Sequence, residues 1–125
     1  MALPPAVIVH GLGDARAVLA LGRGVVLVSA PGAGVYGGCL WWASLMRAAG
    51  VEGVSLLDCG DAPGRALEAL RLGLPGVVLG CEPEVFAVVA GIAEGCGALL
   101  LAAAPPALDM ADKGAKRALL GWLGG

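Results

Sequence analysis

The sequence predicts an α/β fold, a five-stranded, mainly parallel open sheet with helices on both faces. Three observations carry this. Short apolar runs, at residues 6–9, 25–28, 54–57, 77–80 and 98–102, alternate with longer segments of helical character. The runs are apolar almost throughout rather than at every second residue, as in strands covered on both faces. Four of them are followed at once by chemically capable side chains: His10, then Ser29, then Asp58 with Cys59, then Cys81 with Glu82. If the runs are parallel, these residues line one edge of one sheet.

The elements read in order as five strand–helix units. The first strand is residues 6–9, and its helix begins near Asp14 and ends before Gly22, where glycine closes a helix readily. The second strand is 25–28, followed by a helix over about 35–49 with Gly50 placed to close it. A third strand, 54–57, leads through Asp58-Cys59-Gly60-Asp61 to a helix with Pro63 in its first turn, and Arg65, Glu68 and Arg71 face solvent at a three-residue spacing. The fourth strand is 77–79, and the helix opening with Glu82-Pro83-Glu84 has the acids and proline that a first turn prefers. Strand five, 98–102, ends before Pro105-Pro106. The last helix is expected from Asp109 or Asp112 to about Trp122.

At 125 residues the chain makes one domain, 1–125. Its apolar content is high, with 58% hydrophobic and 14% charged residues and a mean hydropathy of +0.87. No run approaches the roughly 20 apolar residues of a membrane span, and a cytoplasmic location without membrane contact is expected. The net charge of −2 argues against nucleic acid, which is held by clustered cations. Lys113, Lys116 and Arg117 form the only basic cluster. Four cysteines lack any C-x-x-C spacing and only one histidine is present, so no metal site is predicted and no cofactor is singled out.

Five units are too few for an eight-stranded barrel, which leaves a doubly wound three-layer sandwich, flavodoxin-like or Rossmann-like. The expected strand order, 2-1-3-4-5, sets His10 beside Asp58 in the crevice where winding reverses. Gly32-Ala33-Gly34-Val35-Tyr36-Gly37 has the G-x-G-x-x-G form between a strand and a helix, and Asp58 stands where a ribose-binding acid is expected. Gly11 and Gly13 make a second glycine turn. With Ser29, Tyr36 and Glu82 these loops would bind a small anionic, phosphate-like or nucleotide-like ligand. In an alternative enzyme, His10 would act as base with Asp58, or with Cys59 or Cys81 as nucleophile. A third alternative is a structural module without catalysis. Trp41 and Trp42 lie about 100° apart on a helix, so one of them is expected to cover a homodimer contact.

Overall fold

The computed structural model describes residues 3–124 and has the expected class, α/β with a parallel sheet and helices. It contains six strands: β1 (Ala6–Ile8), β2 (Val26–Val28), β3 (Ser55–Asp58), β4 (Gly76–Val78), β5 (Leu99–Leu101) and β6 (Ala107–Asp109). The helices are α1 (Leu12–Leu19), α2 (Ala33–Tyr36), α3 (Cys39–Ala49), α4 (Pro63–Arg71), α5 (Pro83–Cys96) and α6 (Ala115–Trp122). The sixth strand replaces the expected early start of the last helix. Likewise, the single helix expected over 35–49 is broken in two, because Gly38, at φ 87°, restarts the chain as the N-cap of α3.

Every strand pair is parallel, in the order β5-β4-β3-β2-β1-β6 rather than 2-1-3-4-5. Consequently β2 separates β1 from β3, and His10 does not meet Asp58 across neighbouring strands. The chain steps the same way from β1 to β5 and then returns to place β6 on the free side of β1. Right-handed crossovers that all step one way bring their helices to one face. Accordingly α1, α3, α4, α5 and α6 bury residues such as Val18, Trp42, Leu70, Val89 and Leu119 in one cluster with Val7, Leu27, Leu57 and Val77 of the strands.

The opposite alternation of strand residues forms a second cluster of Ala6, Val26, Val28, Leu56 and Val78, with no helix among its members. Its burial follows from the short link between β5 and β6. Laid flat, the two edges would be about 24 Å apart at ~4.8 Å per strand, whereas residues 102–106, fully extended, reach only about 20 Å. The sheet must therefore coil until its edges approach. Leu101 of β5 and Ala6 of β1 indeed line one groove with Pro4, Pro5, Pro105 and Pro106. Leu56 is completely buried in consequence, and burial of such a side chain contributes about 1.5–3 kcal/mol.

The two adjacent tryptophans divide as helical geometry requires. Trp42 is sealed in the core, with its indole N–H unpaired, while Trp41 is 38% exposed. This removes Trp42 from any contact between copies. Among the described residues, no helix is long and apolar enough to cross a membrane.

Candidate functional site

The parallel sheet gathers the polar strand-end residues at one edge, but they fall into two groups with different chemistry. At β2 and β3 the groups satisfy one another. Asp58 Oδ1 accepts from the backbone N–H of Gly32 at 3.2 Å and of Gly60 at 2.8 Å. Ser29 Oγ accepts from the N–H of Asp58 at 2.9 Å and donates to the Ala30 carbonyl. Gly32 adopts a left-handed conformation, φ 72°, to turn the chain into α2. Gly34 has a packing role, since a Cβ there would lie 2.9 Å from Cys59 Sγ and 3.1 Å from the Asp58 carbonyl. The G-x-G-x-x-G turn is thus pressed onto β3, with a carboxylate in the place where a phosphate would otherwise take the Gly32 N–H.

Cys59 lies beneath this turn and is completely buried. Burial, reinforced by Cys39, Asp58 and Glu68, pushes its thiol up to about 12, which disfavours the thiolate that the expected nucleophilic role needs. Burial likewise raises the Cys39 thiol, whose Sγ donates to the Arg65 carbonyl. Cys81 and Glu82 stand apart, lining a cleft of about 350 Å³ with Asp61, Pro63 and Val85. Among the described residues no cluster of three His, Cys, Asp or Glu side chains is arranged to hold a metal.

At β1 and β6 the arrangement is open. His10 Nε2 lies 2.6 Å from Oδ1 of Asp109, which ends β6, and the His10 N–H donates to Asp14 Oδ2 at 2.9 Å. Burial raises the Asp109 pKa, but the Ala111 N–H and the hydrogen bond and charge of His10 outweigh it and hold the carboxyl below its ordinary value. With Nε2 engaged, Nδ1 is the nitrogen available to another molecule. His10 also lines a cleft of about 290 Å³, together with Val9, Ala30, Ala33, Tyr36, Gly37 and Trp41.

Of the residues singled out from the sequence, the structure brings together His10, Tyr36 and Gly37. Asp58, Ser29, Gly32 and Gly34 are knitted into the neighbouring turn. Gly11 is the extended N-cap of α1 and Gly13 lies within that helix. Two contributors, Asp109 and Trp41 as a cleft wall, were not anticipated. Asp109 carried a usable signal, because it follows Ala107-Leu108 as Asp58 follows its own strand residues. No family model, no curated protein and no solved structure matches this chain.

Proposed function

We propose that the protein binds a small molecule in the cleft between His10, Tyr36 and Trp41, beyond the carboxyl ends of β1 and β2. The observation that carries this reading is the His10–Asp109 pair, whose histidine lines a mainly apolar cleft. Ligand sites in parallel α/β sheets favour this edge and the place where strand order reverses, here beside β1. A mainly apolar lining with one convergent polar group is also the usual composition of such sites. The volume suits a compact ring system rather than a dinucleotide. An apolar body would lie against the aromatic rings, with its polar head on Nδ1 of His10.

A screen of small aromatic and aliphatic fragments, read by backbone amide NMR shifts, tests the proposal. Expected hits perturb Ala30, Tyr36 and Gly37 together with the His10 ring. They should weaken about fivefold in Tyr36→Ala, the size of a lost aromatic contact. Hits that map only elsewhere, or an absence of hits, overturn it.

The same pair supports a second reading, in which His10 is a general base toward the bound molecule and Asp109 its positioning residue. Such an enzyme loses its reaction in His10→Ala and keeps it in Cys59→Ala; the opposite pattern rejects it. Pairing of two copies through α3 rests on the exposed Leu40 and Trp41 alone.

A further inference from the structure

Building on the reading that the cleft holds a small molecule, we infer that its ligand is an organic cation, an ammonium or protonated nitrogen heterocycle on a compact apolar body. The first support is charge. No lysine or arginine lines the cleft, and both side chains that hold His10 are carboxylates, Asp109 on its ring and Asp14 on its backbone N–H. Neither carboxylate lines the cleft itself, but each lies one hydrogen bond beyond His10, so the His10 side of the cleft carries acidic groups and no lysine or arginine.

Second, three backbone donors around the glycine turn are already engaged. An anion needs N–H groups, but that of Gly32 is bound to Asp58, that of Ala33 to the Ala30 carbonyl, and that of Gly37 to the Ala33 carbonyl. The N-terminus of α1 is the remaining positive feature, and it already carries Asp14 in its first turn. The third support is aromatic. Tyr36 is 72% exposed and Trp41 38% exposed, and both line the cleft, so a cation there finds two aromatic rings whose quadrupoles attract positive charge. His10, whose Nε2 is held by Asp109, keeps Nδ1 as its second ring nitrogen, an acceptor in the Nε2–H tautomer.

Three probes that share one phenylethyl body isolate the head-group charge: phenethylammonium, 2-phenylethanol and 3-phenylpropionate. Their affinities are measured with the full chain near neutral pH and at low salt, where charge is least screened, and their site is read from amide shifts around Ala30 and Gly37. Phenethylammonium is expected to bind about tenfold tighter than 3-phenylpropionate, and several-fold tighter than the alcohol. Asp109→Asn should narrow the gap between cation and anion. Tyr36→Leu, which keeps an apolar wall, should weaken the cation more than the alcohol.

Equal or tighter binding of 3-phenylpropionate at the cleft overturns the charge assignment and leaves the cleft reading standing. The alcohol matching the cation has the same consequence. If fragments bind at the cleft while all three probes do not, the assignment fails alone. If neither binds there, both readings fall.

Discussion

The turn after β2 and the junction of β1 with β6 lie on the same edge of the sheet and use similar parts, but they end in opposite chemical states. In the turn, Asp58, Ser29 and the Gly32 N–H form hydrogen bonds among themselves, and Gly34 lets the backbone press onto Cys59. At the junction, Asp109 holds one nitrogen of His10, and His10 lines a cleft. A glycine motif and an acid at a suggestive interval thus have a sufficient reason in packing. The lone histidine, which belongs to no motif, retains unspent hydrogen-bonding capacity.

The sharpest way to break this contrast is thiol chemistry. A thiol pushed up to about 12 is almost wholly protonated at neutral pH, and Cys59 is also shielded by the turn. Its native modification by a disulfide reagent should be about a thousandfold or more slower than that of exposed Cys96, from thiolate fraction alone. Mass mapping of the labelled chain checks the order. Rapid labelling of Cys59 in the folded protein would show the turn to be an open site, and the contrast would collapse.

Glycine replacements sharpen it next. In Gly34→Ala the new methyl meets Cys59 Sγ and the Asp58 carbonyl, and the backbone oxygen has little room to yield. The expected loss is about 1–3 kcal/mol in chemical denaturation. Gly13 lies within α1 without a positive φ, and a Cβ added there would meet nothing within 4 Å. Gly13→Ala should therefore stabilise by about 0.5–1 kcal/mol through helix propensity and the less flexible unfolded chain. Equal effects at the two sites would mean that the two glycine turns are not built differently.

What the sequence made legible follows the same division between local and distant causes. A shared direction for the strands could be read from their polar followers, because apolar runs and their ends are local features. The order of the strands could not, since no residue near β1 specifies which neighbour it takes. β6 was hidden by its length of three residues and by Pro105-Pro106 ahead of it, and Asp109 resembled a helix cap. The break between α2 and α3 was masked by apolar spacing that continues through Gly37 and Gly38. At the site, His10 was visible as the single imidazole at a strand end. Its partner lies 99 positions away and became apparent only with β6 in place.

The smallest expected effect concerns that partner. Although burial alone raises its pKa, Asp109 is held below the ordinary aspartate range by the Ala111 N–H and by His10. The sign follows: a carboxyl depressed in the folded state adds stability above its unfolded value, about 3.9, and loses that contribution as pH falls toward the folded value. Since the pair is partly exposed, with side chains 37% and 29% accessible, the contribution is at most about 1 kcal/mol. Denaturation midpoints of the native chain and Asp109→Asn, followed from neutral pH into acid, should differ most near neutrality and converge below about pH 3.9. A gap that stays constant or widens in acid would mean that the carboxylate does not stabilise the fold through its charge. His10 would then be held at the cleft by geometry alone.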